Sequence, residues 1–188
     1  MCRKSSVSWV YRLPVGQGQH WSTHNKALDY VLGNWQFNGI ATFTSGTPYT
    51  ACEAGDPAGI GETEYNSCGS GSNGYERLNP VGNPKLSNPT TGEWFNTAAF
   101  VAPPVGTFGI LGRNTLRSDR NKNFDLFLFR QFPFTESKRL EFRFEMFNAF
   151  NQVVFAPPDA NITDPNFGIV ASTANTARQI QFGLKFYF

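Results

Sequence analysis

The last ten residues, Gln179–Phe188 with the sequence QIQFGLKFYF, decide the fold class. From Ile180 to Phe188 every second residue is apolar, whereas the positions between them hold Gln, Gly, Lys and Tyr. A two-residue period is that of a β-strand, in which successive side chains point to opposite faces. The segment therefore predicts a strand with one wholly apolar face, and about ten residues is the length of a tilted strand that crosses a bilayer.

Four earlier segments repeat this alternation. The clearest covers residues 140–146, where Leu, Phe, Phe and Met oppose Glu, Arg and Glu. The chain is therefore predicted to be all-β, with antiparallel strands near residues 5–13, 35–49, 123–133, 140–150 and 178–188.

The links between these strands distinguish a membrane barrel from a soluble sandwich, since strands alternate in both. Residues 133–139 form one tight turn, whereas residues 50–120 and 151–177 form long links. The first of the long links is rich in Gly, Pro, Asn and Ser and is predicted to be an irregular, extracellular surface loop. The link after the first strand is intermediate, and a short helix is predicted in it over 23–32, ended by Gly33. Short links at one end and long links at the other are typical of outer-membrane barrels.

Composition agrees with strands that face hydrocarbon on one side. Charged residues make up 16% of the chain, below the roughly 25% of an ordinary soluble domain, and 19 of the 188 residues are Phe. The net charge of +2 provides no electrostatic footprint for nucleic acid, so no nucleic-acid partner is expected.

Several motifs in one order then resemble a known family. The chain is similar to the C-terminal barrel region of TonB-dependent outer-membrane receptors, in the branch that has an N-terminal carboxypeptidase-regulatory-like domain. The similarity covers nearly the whole chain from about residue 6. The motifs are GNWQFNGIATFTSGTPY at 33–49, WFNTAAF at 94–100, FGILGRNTLR at 108–117, FRFEMFNAFN at 142–151 and RQIQFGLKF at 178–186.

The resemblance implies the fold and the function together. Residues 1–188 would be the C-terminal part of a receptor barrel: an antiparallel, up-and-down transmembrane β-barrel segment of about five strands, an incomplete part of a large barrel. The implied function is TonB-dependent uptake of an unknown solute across the bacterial outer membrane. The family's signal peptide, TonB box, plug and most barrel strands do not occur in this sequence, so the chain is expected to be a fragment that contacts the TonB complex only through missing N-terminal parts.

The terminal strand also resembles an assembly signal. An aromatic last residue on an alternating strand is similar to the signature by which the barrel assembly machinery recognises outer-membrane proteins. The residues that carry it are Ile180, Phe182, Leu184, Phe186 and Phe188. The expected partners are therefore outer-membrane lipid and the assembly machinery.

Charged residues in two places are the candidates for binding the solute. Glu141, Arg143 and Glu145 alternate with apolar residues, so in a barrel they would point into the lumen. Cross-strand pairing is their alternative and commoner role. Arg113 and Arg117 precede the third strand, where they would attract an anionic solute, and a solvated stretch of chain is the alternative there.

The cysteine count is odd, with Cys2, Cys52 and Cys68. Cys52 and Cys68 flank a Gly- and Glu-rich stretch and are candidates for a disulfide in an oxidising compartment. Two unrelated thiols are the alternative.

Catalytic and metal-binding patterns are weak along the whole chain. His20 and His24 have the i, i+4 spacing of a helical zinc motif, but Trp21 stands where such a motif carries Glu. Residues 159–164 resemble a calcium loop only in their Asp and Asn residues, since the turn Gly and the terminal Glu do not occur. We expect no enzymatic activity, no metal and no cofactor.

A soluble protein is the alternative to the receptor. The same alternation would suit a β-sandwich binding module of the carbohydrate-binding type, which would use the long loops and exposed Trp residues. Such a module would be a soluble monomer, whereas a barrel section would need detergent to cover the apolar face of residues 140–144.

Overall fold

The structure, a computed structural model, describes residues 3–16, 19–21, 25–59 and 76–188. Most of the regular structure in these ranges is β-strand. No helix of the described residues combines the length and the hydropathy needed to cross a bilayer. In chain order the elements are β1 (Lys4–Arg12), α1 (Lys26–Leu32), β2 (Trp35–Thr44), β3 (Pro48–Tyr49), β4 (Asn79–Pro80), a 3-10 turn (Thr97–Ala99), β5 (Phe100–Val101), β6 (Leu116–Arg117), β7 (Asn121–Pro133), β8 (Arg139–Phe147) and β9 (Gln179–Tyr187).

These elements form two compact units. The strand unit comprises Lys4–Phe43, Lys122–Val153 and Thr176–Phe188. The loop unit comprises Met1–Arg3, Thr44–Asn121 and Val154–Asn175. The loop unit is therefore built mainly from the two long links of the chain, and the long strands lie in the strand unit.

The five long strands form one antiparallel sheet in the order β1-β2-β7-β8-β9. The register places Phe144 of β8 opposite Leu128 of β7 and opposite Phe182 of β9. The N–H of Leu13 donates to the carbonyl oxygen of Trp35 at 2.9 Å, which joins the end of β1 to the start of β2. The prediction of an all-β, antiparallel, up-and-down fold is confirmed, and the sheet is open because β1 and β9 stand at its two edges.

The long strand predicted over residues 35–49 is interrupted. β2 ends at Thr44, and Pro48 and Tyr49 form the separate strand β3, which pairs with β6. The N–H of Thr47 donates to Oγ of Ser118 at 2.9 Å, and the N–H of Ser118 donates to the carbonyl oxygen of Thr47 at 3.0 Å. These bonds to residues far along the chain end the pairing of β2 at this point.

The sheet has two faces of opposite chemistry, because the side chains of each strand alternate between them. On the apolar face, Phe182 and Leu184 of β9 are each 71% exposed. Ring contacts continue this face across the sheet, with the centroids of Phe144 and Phe182 5.0 Å apart. The apolar face comprises Val7, Trp9, Tyr11, Trp35, Phe37, Gly39, Ala41, Phe43, Phe124, Leu126, Leu128, Arg130, Phe132, Leu140, Phe142, Phe144, Met146, Ile180, Phe182, Leu184 and Phe186. The side chains between them form the other face, called the polar face because it carries most of the charged and amide groups, although the rings of Phe127, Phe129 and Phe147 also lie on it.

The helix α1 begins and ends at recognisable caps. Asn25 is the N-cap, since its side-chain oxygen accepts from the N–H of Ala27 at 3.0 Å and from that of Leu28 at 3.4 Å. The N–H of Gly33 donates to the carbonyl oxygen of Asp29 at 2.9 Å and closes the last turn. The predicted end at Gly33 is confirmed. Residues 23 and 24 of the predicted helix lie outside the described residues, and Asn25, predicted inside the helix, is its N-cap.

The loop unit has its own hydrophobic core. The described part of the link over residues 50–120 is irregular as predicted, with only two-residue strands and a 3-10 turn, but part of it is buried rather than at the surface. The side chain of Leu78 is fully buried, and the ring of Phe95 packs edge-on against Phe100 at 5.7 Å and against Phe167 at 5.2 Å. Two-residue pairings, β3 with β6 and β4 with β5, bring the contributing segments together. The buried core consists of Tyr49, Ala51, Leu78, Phe95, Ala99, Phe100, Leu111, Leu116 and Ala160.

Tyr49 is buried in this core, and its hydroxyl has no hydrogen-bond partner among the described residues. Burial disfavours the charged phenolate, and it raises the pKa of Tyr49 well above its ordinary value. The stability that follows from this raised pKa is present below the ordinary value, about 10, and is lost as the pH rises above it.

A glycine in the loop unit provides a test of this core. A Cβ atom on Gly109 would lie 1.6 Å from the carbonyl oxygen of Arg77, in the segment where the N–H of Leu111 donates to the carbonyl oxygen of Leu78. We expect Gly109→Ala to lower the free energy of unfolding of the loop unit by at least the roughly 1–3 kcal/mol of an overpacked core. Hydrogen exchange of amides in residues 76–121, followed against urea in the whole chain, measures this change.

Gly82→Ala is the matched control, since its Cβ would make only an ordinary contact, 3.5 Å from Cα of Ala99. Equal exchange of the Gly109→Ala variant and the unsubstituted chain would show that the two segments are not in contact as described.

Candidate functional site

Glu141 is the centre of a hydrogen-bonded cluster on the polar face. The register of β8 places it opposite Gln131 of β7 and Lys185 of β9. Its carboxylate accepts from Nε2 of Gln131 at 3.0 Å, from the hydroxyl of Tyr187 at 3.4 Å and from Nε of Arg143, with which it forms an ion pair. Glu141 is buried, as a carboxylate with three donors can be without a large desolvation cost. The cluster joins three adjacent strands.

The other charged groups of the polar face stack on rings or pair across strands. The guanidinium carbon of Arg139 and Nζ of Lys185 both lie over the ring of Tyr187, at 4.2 Å and 4.7 Å from its centroid. Nε2 of Gln181 donates to the carboxylate of Glu145. These contacts fix long side chains on the face, so the charges are held in defined positions rather than fully solvated.

A cavity of about 630 Å³ opens beside this cluster within the strand unit. Its polar lining combines guanidinium groups, carboxamides and one carboxylate, and so offers both donors and acceptors to a polar molecule. It lies where β1 ends and β2 begins, at the end of the sheet that carries the tight turn of residues 134–138. The polar side chains among its lining residues are those of Arg12, Gln19, Asn34, Gln36, Asn38, Gln131, Arg139, Glu141 and Arg143.

The structure brings together three of the five predicted solute-binding residues. Glu141, Arg143 and Glu145 lie on one face of β8, with Arg143 partly exposed and its guanidinium 5.4 Å from the ring centroid of Phe129. Arg113 and Arg117 lie in the loop unit. The Arg117 guanidinium donates to the carbonyl oxygen of Gly46 at 3.2 Å and thereby holds the link after β2.

The predicted assembly strand is the edge strand β9. Its apolar residues lie on the apolar face, opposite Leu140, Phe142, Phe144 and Met146 of β8. Phe188 is almost completely exposed, and its ring stacks at 6.2 Å on that of Phe186. The five residues of the predicted signal therefore form one row of exposed apolar side chains.

The cysteine and histidine predictions fall partly outside the described residues. Cys52 is buried and disulfide-bonded, but Cys68 lies outside the described residues, so the pairing of the two stays a prediction. His24 also lies outside them. Among the residues that the structure describes, no group of three or more His, Cys, Asp or Glu side chains is placed to hold a metal ion.

Sequence reasoning missed one residue, Arg130. It lies in β7 on the apolar face, between Leu128 and Phe132 and opposite Phe142 of β8. It is nevertheless only 3% exposed, because the end of α1 covers it. The signal was present in the alternation of β7, where a charged residue occupies an apolar position.

Comparison with known families identifies this type of sheet. A family model described as an outer membrane beta barrel domain matches residues 3–181.

The chain belongs to the outer membrane beta barrel domain family.

Membership of this family accounts for a sheet that is exposed and apolar on one face, and the open edges are consistent with part of a barrel. It supports an outer-membrane protein and does not distinguish the TonB-dependent receptors from other members. Comparisons with curated proteins and with solved structures found no match.

The Glu141 cluster makes a specific prediction for this family member. In Glu141→Gln, one of the two acceptor oxygens becomes an NH₂ donor that faces the donors of Gln131, Arg143 and Tyr187. Since leaving buried polar groups unpaired costs about 1–3 kcal/mol, we expect a lower midpoint of thermal unfolding for the chain refolded in detergent. Glu136→Gln in the exposed tight turn is the matched control and should leave the midpoint unchanged. Equal midpoints for the two variants would contradict a stabilising role of the cluster.

Proposed function

We propose that the chain is a section of the barrel wall, with its loops, of a TonB-dependent uptake receptor in the bacterial outer membrane. The observation that carries the proposal is the sheet with two unlike faces, apolar and exposed on one side, polar and hydrogen-bonded on the other. The five motifs that resemble the receptors, in one order along the chain, support this branch of the family.

The exposed apolar face favours a membrane wall over the soluble sandwich. Phe182 and Leu184 of β9 are mostly exposed, and Ile180 and Phe186 are about half exposed. A contiguous apolar surface of this kind is larger than a soluble monomer tolerates. In a sandwich a second sheet would cover it, and the described strand unit holds one sheet. Lipid is a cover for these side chains that needs no second protein layer.

The open edges support a section rather than a whole barrel. The smallest membrane barrels have about eight strands and plugged transporters about 22, whereas this sheet has five. The outer edges of β1 and β9 carry N–H and C=O groups that hydrocarbon cannot satisfy. In the complete receptor, further barrel strands would pair with both edges.

The polar face would line the lumen, and the loop unit would contribute to solute capture. Glu141 and Glu145 are engaged in contacts across strands, so we assign them mainly to holding the wall. Arg143 is partly exposed beside the cavity and is the best placed of the five predicted residues to meet a solute or a plug segment in the lumen. Arg113 and Arg117 would favour anionic solutes at the loops.

Two further proposals follow from the same assignment. The row from Ile180 to Phe188 on the edge strand β9 would be the segment that the barrel assembly machinery binds. Contact with the TonB complex would be made by N-terminal parts of the receptor and not by the residues described above. The protein would act as a transporter rather than an enzyme.

The decisive experiment uses the complete gene product. The reading frame that contains this chain is sequenced upstream and expressed, and the protein is passed over immobilised periplasmic domain of TonB from the same organism. We expect a plug and a TonB box upstream, retention of the protein on the domain, and loss of retention when the TonB box is deleted.

A frame without a plug, or a protein that the TonB domain does not retain, would contradict the receptor proposal. Family membership would then support an outer-membrane barrel protein of another kind.

A further inference from the structure

One residue of the apolar face, Arg130 of β7, is charged. Arg130 is surrounded on its strand by Leu128 and Phe132 and lies opposite Phe142. A guanidinium in such a place is costly unless its N–H groups find acceptors, because hydrocarbon offers none. The acceptors of its N–H groups therefore identify the element that lies against this face.

The partners of Arg130 are the last carbonyl groups of α1. The guanidinium donates to the carbonyl oxygens of Tyr30, Val31 and Gly33, with the Val31 oxygen at 2.7 Å. The last turn of a helix leaves its carbonyl groups unsatisfied and carries partial negative charge, so it suits a cation. Nε1 of Trp35 donates to the same Val31 oxygen at 3.1 Å. These bonds fix the C-terminal end of α1 on the apolar face.

Aromatic rings close the site around the guanidinium. Its carbon lies 4.4 Å from the ring centroid of Phe132 and 5.6 Å from that of Trp35. The ring of Tyr30 on α1 packs against Phe132 with 6.0 Å between centroids. The charge is thus covered by α1 and by rings, and the surface that faces outward is that of the helix.

The outward surface of α1 is apolar. Leu28, Val31 and Leu32 have i, i+3, i+4 spacing, which places them on one side of the helix, and each is about half exposed. Asp29, the acidic residue of the helix, is buried instead. An exposed helix side is ordinarily polar, so this pattern needs an apolar neighbour.

The sheet face beneath α1 indicates which apolar neighbour its exposed side meets. The end of α1 lies on the apolar face beside Phe132, and Tyr11, Phe134 and Phe186, at the end of the sheet that carries the tight turn, are about half exposed or more. Aromatic residues gather in this way at the rims of membrane barrels, at the level of the lipid headgroups.

We propose that α1 is an interfacial helix on the outer wall of the barrel, with Leu28, Val31 and Leu32 in phospholipid and Arg130 as the positioning residue that holds it there. The proposal rests on the outer-membrane wall proposed above. The occupant is the acyl and headgroup boundary of one leaflet, and not a protein partner, because α1 is fixed on the same face as the strand residues that would meet lipid.

Lipid crosslinking tests the proposal in the complete gene product. The photoreactive residue p-benzoylphenylalanine replaces Val31, and the protein is reconstituted into vesicles of phosphatidylethanolamine and phosphatidylglycerol with a radiolabelled acyl chain. Leu184→p-benzoylphenylalanine on β9 is the positive control. Val105→p-benzoylphenylalanine is the negative control, since Val105 is 90% exposed and belongs to the loop unit.

We expect labelling at Val31 to be similar to that at Leu184 and at least tenfold above that at Val105. Labelling at Leu184 with none above background at Val31 would overturn the interfacial helix and leave the membrane wall intact. Labelling at neither position would overturn the membrane wall, and this inference with it.

The role of Arg130 is tested by hydrogen exchange in the same vesicles. Arg130→Met keeps the side-chain length but removes the donors to the α1 carbonyl groups. We expect the amides of residues 26–33 to exchange at least tenfold faster, while those of β8 and β9 are unchanged. Unchanged exchange in residues 26–33 would show that Arg130 does not hold the helix.

Arg130→Lys is the second variant. It keeps the test informative if Arg130→Met disrupts the whole sheet. An ammonium group offers a cation to the same carbonyl groups but cannot span three of them in one plane. Exchange in residues 26–33 should then be intermediate. Exchange equal to that of the unsubstituted protein would assign the effect to charge alone and overturn the positioning by specific hydrogen bonds.

Discussion

The structure depends on one constraint: a strand that meets hydrocarbon has to satisfy its backbone polar groups within the sheet, because lipid offers no partner. The ladder from β1 to β9 meets this constraint for the interior strands, and it remains unmet at the two edges. The extended strands that meet this constraint alternate their side chains between two faces, so that Leu184 and Phe182 are exposed while Glu141 is buried among donors on the other side. An outer-membrane wall is the setting in which both faces are stable.

Arg130 is an exception, since it is a charged side chain on the apolar face. A charged side chain on the apolar face is retained where a second element brings acceptors to it, and here the element is the end of α1. The loop unit is stabilised in a different way from the sheet. Its two-residue strands are too short to form a wall, and it is stabilised by an ordinary core around Leu78 and Phe95 instead. One chain thus contains a sheet with no covered core and a loop unit with a conventional one.

The sequence predicted the sheet because a period of two is a local signal that each strand carries by itself. It did not predict the core of the loop unit, since Tyr49, Leu78 and Phe95 are far apart in the chain and have no shared period. The position of Arg130 was readable from the alternation of β7, but its carbonyl partners are about a hundred residues away. Glu141, Arg143 and Glu145 were placed on one face correctly, whereas their partners depended on a register that the sequence does not specify.

The membrane wall is tested most directly along β9. Spin labels are placed one at a time at residues 179–187 of the complete gene product in bilayers, and their accessibility to oxygen and to a water-soluble nickel complex is measured. For a strand between lipid and a wet lumen we expect a two-residue period, with even-numbered positions from Ile180 to Phe186 accessible to oxygen and the odd-numbered positions accessible to the nickel complex. Uniform access of the nickel complex to both sets would contradict a strand that separates lipid from a wet interior.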